Sequence, residues 1–360
     1  MQRWLYIAAG GGGDLIAAAM IHRSLGRPGA PVIATYAWER LIYDPLPGPR
    51  SWTDFDRLSV PHPGVREITT DTAAIPPARS PLPRQSVLLE ARIILLDPTE
   101  GQVGLRQQLG DAIHGLECDQ VEVIDVGGDV LAVGTEPGLR SPLADSLIVA
   151  ACIDLPVSVR VIVAGPALDG ELSGAEFAER TAALAGEQVG RITPDAAEWA
   201  RAALDEHPSE SSRLLAAAAA GMRGIVAVRE SGTGVPLTDA STAIFSFSLD
   251  GILRGCPLPS ALVGTRSLED ASASTRELIG RSELDYERVK AERRGSSQPL
   301  PNDAEQALAD GLRDARGRGA DFVTPRRLAE LAGQQGAGAE RLLSDLAGGQ
   351  RPPLLWATRT

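Results

Sequence analysis

The sequence predicts an α/β fold: an open, mostly parallel Rossmann-like sheet with helices on both faces, followed by a small helical, winged-helix-like module. Short apolar runs rich in β-branched residues alternate with amphipathic segments of helical spacing, which is typical of a parallel sheet covered by helices. A polar stretch then separates this region from a helical tail. We therefore divide the chain into an α/β ligand-binding or catalytic domain (1–275), a linker (276–303) and a C-terminal module (304–360).

Four apolar runs have the character of buried parallel strands, because each is short and is followed by glycine, proline or polar residues. They are Trp4–Ala9, Val32–Tyr36, Val121–Val126 and Val159–Ala164. Apolar residues three and four positions apart predict helices between them. These helices cover Leu15–Leu25, Pro142–Ile153 and Ala175–Ala185. Two further runs, Gly224–Arg229 and Thr242–Phe247, are expected to extend the same sheet, and Pro45–Arg84 is expected to be a surface excursion.

The tail predicts a helix, a turn, a second helix and a short strand, in the order of a winged-helix module. Thr324 suits the N-cap of one helix, with Pro325 at its first position, and Leu354–Trp356 suits the strand. In an acidic protein such a module is expected to pack or dimerise. DNA binding stays open as an alternative because the region is rich in arginine. The arginines concerned are Arg326, Arg327 and Arg341.

Composition excludes several kinds of chemistry. Lys290 is the only lysine among 35 basic residues, and no glycine precedes it, so the chain has no P-loop. Its charged surroundings predict a solvated ammonium, which argues against a Schiff base and against pyridoxal phosphate. The three cysteines are scattered and the four histidines show no metal-binding spacing, so we expect no zinc site.

The charge of the chain narrows the range of partners. Its 35 basic and 47 acidic residues give a formal net charge of −12, which argues against nucleic acid and membrane surfaces as partners. No run of about 18 apolar residues is present, so we expect no membrane span. The N-terminal segment lacks a cleavage-site pattern and predicts a first strand, which favours a cytoplasmic protein with reduced cysteines. A small-molecule ligand is the expected partner, and homo-oligomerisation stays open.

A glycine-rich loop joins the first predicted strand to the first predicted helix. It consists of Gly10, Gly11, Gly12, Gly13 and Asp14. Glycines at this position allow close approach of a ligand, and the following helix N-terminus favours an anion such as phosphate. The match to the dinucleotide motif is loose, because Leu15 or Ile16 occupies the third glycine position. We therefore expect an anion- or nucleotide-facing loop, with NAD(P) as an alternative ligand.

A second candidate segment follows the second predicted strand. It contains Trp38, Glu39 and Arg40, and then three prolines that restrict the chain before Arg50. A guanidinium held in this way suits a carboxylate or a phosphate. The alternative is a surface loop closed by an ion pair between Asp44 and Arg50.

Carboxylates follow three of the predicted strands. They are Asp14, then Asp125 and Asp129, then Asp169 and Glu171. Ligands of open α/β sheets bind outside the carboxyl ends of the strands, so these side chains are expected to meet there. Crowded carboxylates repel one another unless a cation, a cationic ligand or a shared proton offsets the charge, and oxygen-only ligands suit Mg²⁺ or Ca²⁺. Asp125, Asp129 and Asp169 are therefore our candidates for catalysis and for metal binding.

The segment after the third strand supplies further candidates. Ser141 and the following proline predict a helix start with Asp145 in its first turn. Glu136 and Arg140 precede this start, and we include all four as candidate ligand-binding residues.

Several of these motifs occur together in one known family. They are GGGGD (10–14), WER (38–40), DPLPGPR (44–50), DVGGD (125–129), LRSPLAD (139–145) and DGEL (169–172). In this order they resemble an uncharacterised family of archaeal and actinobacterial proteins, known only as a domain of unknown function, over roughly residues 1–275. One departure is Ala167, where the family pattern has glycine. The resemblance implies that the polar loops are family features, and it supplies no reaction, cofactor or catalytic residue.

These observations favour an enzyme that acts on a small anionic or nucleotide-like metabolite by hydrolysis or group transfer, in a specialised metabolic pathway. Without a lysine, histidine or cysteine nucleophile, the carboxylates are the remaining groups for proton transfer, and Arg50 or Arg140 would hold the substrate. One alternative is a metabolite-sensing regulator that uses its C-terminal module. The other is an NAD(P)-dependent oxidoreductase.

Overall fold

The structure is a computed structural model that describes residues 2–229, 232–295, 304–334, 337–348 and 350–358. Its strands are β1 (Trp4–Ala8), β2 (Val32–Tyr36), β3 (Phe55–Asp56), β4 (Glu67–Ile68), β5 (Ala73–Ala74), β6 (Arg92–Leu96), β7 (Gln120–Val126), β8 (Ser158–Ala164), β9 (Glu187–Arg191), β10 (Gly224–Val228), β11 (Thr233–Leu237), β12 (Ala243–Ser248), β13 (Phe322–Val323) and β14 (Trp356–Ala357).

The helices cover both faces of the main sheet and most of the C-terminal region. They are α1 (Gly12–Ser24), α2 (Leu82–Leu88), α3 (Gly101–Leu116), α4 (Pro142–Ala151), α5 (Gly174–Ala183), α6 (Pro194–Trp199), α7 (Arg201–Asp205), α8 (Glu210–Ala219), α9 (Leu249–Gly255), α10 (Pro257–Ala261), α11 (Leu268–Ile279), α12 (Glu283–Gly295), α13 (Ala304–Gly317), α14 (Pro325–Leu331) and α15 (Ala337–Leu346).

The main sheet has eight strands in the order β4-β6-β2-β1-β7-β8-β12-β9. Its centre, β6-β2-β1-β7-β8, is parallel throughout. Numbered along the chain, these five strands have the order 3-2-1-4-5, which is the doubly wound order. Two apolar cores lie on opposite faces: α1, α6 and α8 contribute to one, and α3 and α4 contribute to the other. The predicted α/β class, with helices on both faces, is confirmed.

The strand assignment needs two corrections. Arg92–Leu96 forms β6, a central parallel strand that the sequence analysis does not predict. The predicted strand at Gly224 forms β10, but β10 lies in a separate sheet of order β11-β10-β13-β14 and does not extend the main one. The reason is that β10 pairs with β11 in a hairpin and with β13 of the C-terminal region. The other predicted extension, β12, joins the main sheet antiparallel to β8.

The predicted linker is largely helical. Over 276–303, Glu283–Gly295 forms α12, and residues 296–303 lie outside the described residues. Glu283 and Glu287 of α12 are buried against the α/β domain, at 5% and 4% exposure. Part of the polar character of α12 therefore comes from acidic side chains that are buried against the α/β domain.

The C-terminal module is tied to the α/β domain through α8. Thr324 caps α14 as predicted, since its Oγ1 accepts from the backbone N–H of Arg327 at 3.1 Å. The same hydroxyl donates to Glu210 of α8. Arg326 pairs with Glu210 and Glu330, and Arg327 is 8% exposed, so both arginines contribute to the packing of the module.

Candidate functional site

A cavity of about 690 Å³ lies at the carboxyl ends of the parallel strands. The loops after β1, β2, β7 and β8 all contribute to its walls, as do α12 and the start of α14. It therefore includes the point between β1 and β7 where the strand order reverses, which is where open α/β sheets bind ligands.

Acidic side chains dominate the lining of this cavity. The five cationic side chains are Arg40, Arg140, Arg229, Lys290 and Arg326. The ten carboxylates are Asp14, Glu39, Asp125, Asp129, Asp145, Asp169, Glu171, Glu210, Glu283 and Glu287. Lys290, for which the sequence predicts full solvation, is half-buried in this wall. A site with this excess of negative charge is suited to a cation or to protonated carboxyl groups.

Three of the carboxylates converge: Asp14 from α1, Asp125 from the end of β7 and Asp145 from the first turn of α4. Each places one oxygen within 4.8 Å of the other two, and all three side chains are buried. We call them the aspartate trio. Asp14 Oδ2 accepts from the backbone N–H of Gly10 at 2.8 Å. Asp125 Oδ2 and Asp145 Oδ1 are buried without a hydrogen-bond partner among the described residues.

Burial and mutual repulsion disfavour the charged forms of the trio. Burial raises the pKa of Asp14 to about 7, although the Gly10 N–H and the Arg40 charge act in the opposite direction. Burial raises the pKa of Asp125 and of Asp145 well above the usual value, and neighbouring carboxylates raise both further. The trio can therefore hold protons near neutral pH, and would release them to solvent on binding a cation.

Two more predicted aspartates line the cavity beside the trio. Burial, and then Asp145 and Asp125, raise the pKa of Asp129 well above its usual value. Burial and Glu171 raise the pKa of Asp169 to about 7. Asp169 Oδ1 accepts from the Glu171 N–H at 2.9 Å, whereas its Oδ2 is buried without a partner among the described residues.

Glu171 has a different environment, because its oxygens are saturated. It accepts from the backbone N–H groups of Arg140 and Ser141, at 2.5 and 2.9 Å, and from the Ser141 hydroxyl at 2.6 Å. It also pairs with Arg229 at 2.8 Å. The Arg140 side chain donates to the carbonyls of Pro137 and Leu139. These predicted residues therefore join the loop after β8 to the start of α4 at the edge of the cavity.

The glycine loop fits tightly between side chains. A Cβ at Gly10 would lie 2.7 Å from Asp14 Oδ2, and one at Gly12 would lie 2.7 Å from Glu39 Oε1. A Cβ at Gly13 would lie 2.6 Å from Ser209 Oγ. Gly11 has a φ of +98°, and a Cβ there would lie 3.0 Å from the carbonyl oxygen of Trp38. The glycines are therefore explained by the close approach of the protein's own polar groups.

His207 is a residue of the site that sequence analysis missed. Its Nε2 lies 3.3 Å from Glu39 Oε2, and both side chains are buried. Its Nδ1 accepts from the Ser209 N–H at 3.0 Å, which assigns the proton of the neutral ring to Nε2, facing Glu39. No local pattern pointed to this pair, because 167 positions separate the two residues and His207 stands in an ordinary polar loop.

The acids of α12 were also missed. Glu287 Oε2 accepts from Trp38 Nε1 at 2.8 Å and from the Gly48 N–H at 2.9 Å. Arg40 lies 3.7 Å from Glu283 and 4.0 Å from Glu287. Burial raises the pKa of Glu283 to about 8, although Arg40 lowers it. Only their helical spacing of four residues could have indicated that these two acids share one face.

Four predicted site residues do not line the cavity: Gly11 and Gly12 of the glycine loop, and Arg50 and Glu136. Arg50 pairs with Asp44 at 3.2 Å and donates to the carbonyls of Pro47 and Gly48, so it closes its own proline-rich loop, as in the alternative interpretation. Glu136 accepts from the backbone N–H groups of Val133 and Gly134, at 2.7 and 2.8 Å, and so fixes its own turn. The polar groups of both side chains therefore form hydrogen bonds within their own loops.

The fold and the site define a doubly wound α/β protein with a carboxylate-lined cavity at the point where the strand order reverses. The chain belongs to the family described as Protein of unknown function (DUF1152), whose model matches residues 5–291. The resemblance seen in the sequence is thereby confirmed, and the match extends through most of α12. No curated protein and no solved structure matches the chain. Among the described residues, no helix combines the length and the apolar character needed to cross a membrane.

Proposed function

We propose that this protein is a divalent-cation-dependent enzyme that acts on a small anionic metabolite by hydrolysis or group transfer. The observation that carries the proposal is the buried aspartate trio, with two unpartnered oxygens, in the wall of a cavity large enough for a metabolite.

The separation of the trio oxygens supports a single bound cation. Mg²⁺ binds oxygens at about 2.1 Å and Ca²⁺ at about 2.4 Å, so two ligands of one ion lie no more than about 4.2 to 4.8 Å apart. The trio oxygens lie within 4.8 Å of one another, so one cation could contact all three. A cation there would offset the repulsion between Asp125 and Asp145. It would supply Lewis acidity towards a phosphoryl or carbonyl oxygen.

The proposed metal set shares only Asp125 with the set predicted from sequence. Asp14 and Asp145 take the places of Asp129 and Asp169, because α1 and α4 direct their first turns toward the end of β7. Asp129 and Asp169 then remain for proton transfer. With a pKa of about 7 and a free Oδ2, Asp169 can accept or donate a proton near neutral pH.

A second candidate is a dinucleotide-dependent oxidoreductase. The 3-2-1-4-5 strand order favours it, as does an acidic residue, Glu39, just beyond β2. Against it, His207 and Ser209 pack directly on Gly12 and Gly13, where the pyrophosphate of a dinucleotide would lie. We therefore place it second; thermal stabilisation by NAD(P)H without a divalent cation would reverse this order.

The experiment that tests the proposal is a hydrolysis screen. Purified protein is incubated with phosphorylated metabolites and nucleotides, with Mg²⁺ or with EDTA, and released phosphate is measured. We expect turnover that requires Mg²⁺ and that is lost in Asp125→Asn. Asp71→Asn, at an exposed aspartate outside the cavity, is the matched control and should retain it. Turnover that is equal in EDTA, or retained in Asp125→Asn, would contradict the proposal.

A further inference from the structure

Arg40 differs from the other three arginines of the cavity, Arg140, Arg229 and Arg326, in its hydrogen bonding. Arg229 donates to Glu171 and to the Asp169 carbonyl, and Arg326 donates to Glu330. For Arg40, the described residues provide ion pairs at 3.7 and 4.0 Å, which are longer than hydrogen bonds. Its side chain is 44% exposed, and it lines the cavity. Its donor groups are therefore available to a ligand.

Two acids of α12 nevertheless lie close to the Arg40 guanidinium. Glu287 is held by Trp38 and by the Gly48 N–H, and Glu283 is buried beside it on the same face of α12. These two acids restrain the guanidinium electrostatically without saturating its donors. A guanidinium that is oriented before binding loses less entropy when it forms a two-pronged contact with an anion.

Arg40 also acts across the cavity on the catalytic candidates. Its charge lowers the pKa of Asp14, and the charge of Asp129 in turn raises the pKa of Arg40. The guanidinium is thus within electrostatic reach of the aspartate trio. An anion in this cavity would otherwise face an excess of carboxylates.

We propose that Arg40 binds an anionic group of the substrate, a phosphate or a carboxylate, and that this group bridges Arg40 and the cation held by the aspartate trio. The inference rests on the proposed metal site. Its consequence is a coupling between the two ligands: the anion binds weakly to the metal-free site, which lacks the charge of the cation, and binds well when the cation is present.

The coupling can be measured with simple probes. Binding of inorganic phosphate to the full chain is titrated by calorimetry with and without Mg²⁺. A parallel titration uses malonate as the carboxylate probe. In the wild type we expect at least one of the two anions to bind at least about tenfold more tightly with Mg²⁺. The anion that responds identifies the group recognised.

Three variants complete the experiment. Arg40→Gln should bind Mg²⁺ as before, but its affinity for the anion in the presence of Mg²⁺ should fall by about tenfold or more. Arg40→Lys should keep part of this affinity, because the positive charge remains but the two-pronged geometry of the guanidinium is lost. Arg276→Gln is the matched control, since Arg276 also contacts α12, through Asp285, but lies outside the cavity. It should behave as wild type.

The outcomes separate the two proposals. Absence of Mg²⁺ binding to the wild type would contradict the metal site itself. Mg²⁺ binding without any effect on either anion would overturn the role of Arg40 alone, as would a coupling that persists unchanged in Arg40→Gln and Arg40→Lys.

Discussion

Single residues determine the shape of this site through backbone conformation as much as through charge. Gly127 directly follows the end of β7 and has a φ of +121°, in the region that favours glycine. A Cβ at Gly127 would overlap the carboxyl group of Asp169. The glycine pair of the DVGGD motif therefore allows the loops after β7 and β8 to approach each other and brings Asp169 close to Asp125.

We expect Gly127→Ala to destabilise the protein by about 3 kcal/mol or more, because a positive φ costs about 1–2 kcal/mol and the overlap adds to it. Gly221→Ala is the matched control, since Gly221 has a φ of +91° but open space around its Cβ position. It should cost only about 1–2 kcal/mol. Urea unfolding measures both variants, and an equal loss in the two would show that contact with Asp169 is unimportant.

Some strands and helices of the fold can be predicted from the sequence, whereas the packing partners of others cannot. The end of β7 and the start of α4 are predicted correctly, because strand periodicity and helix-start residues are local signals. The glycine loop is shorter than predicted, since α1 already begins at Gly12. The place of β10 is not predictable in this way, since its partners β11 and β13 are chosen by tertiary pairing. The role of α12 is hidden for a similar reason: a charged run is indistinguishable from a solvated helix until Trp38 and Arg40 are placed against it.

The attachment of α12 gives a prediction for this element. Glu287→Ala leaves the N–H groups of Trp38 and Gly48 without their acceptor, so we expect a loss of about 2–3 kcal/mol and faster amide exchange across α12. Glu287→Gln retains a side-chain oxygen and should lose less. Hydrogen–deuterium exchange with peptide resolution measures the protection of α12 in both variants. Unchanged protection of α12 in Glu287→Ala would refute this account of its docking.

At the scale of the whole molecule, the net charge of −12 is distributed unevenly. Many of the acids line one cavity, and burial raises the pKa of Asp14 and Asp169 to about 7 and of Glu283 to about 8, from usual values of 3.8 and 4.5. Between the usual and the raised values, the folded protein holds protons that the unfolded chain releases. Stability contributed by these groups is therefore present at lower pH and is lost as the pH rises through the window from about 4 to 8.

We accordingly expect the metal-free protein to unfold at a lower temperature at pH 8 than at pH 6. Mg²⁺ should reverse much of this loss, because it binds the deprotonated trio and its effect grows with pH. Asp125→Asn removes one of the repelling charges and should weaken the pH dependence. Thermal unfolding from pH 5.5 to 8.5, with EDTA or with Mg²⁺, measures each effect, and a metal-free protein that gains stability towards pH 8 would contradict the sign.

The most direct test of the metal site is the number of protons released on Mg²⁺ binding. Calorimetric titrations at pH 7 in two buffers of different ionisation enthalpy measure this number, together with the affinity. We predict binding accompanied by net proton release in the wild type and in Asp71→Asn, and its loss in Asp125→Asn, since the trio must be deprotonated to hold the cation. No binding heat in the wild type, or binding without proton release that persists in Asp125→Asn, would contradict the account.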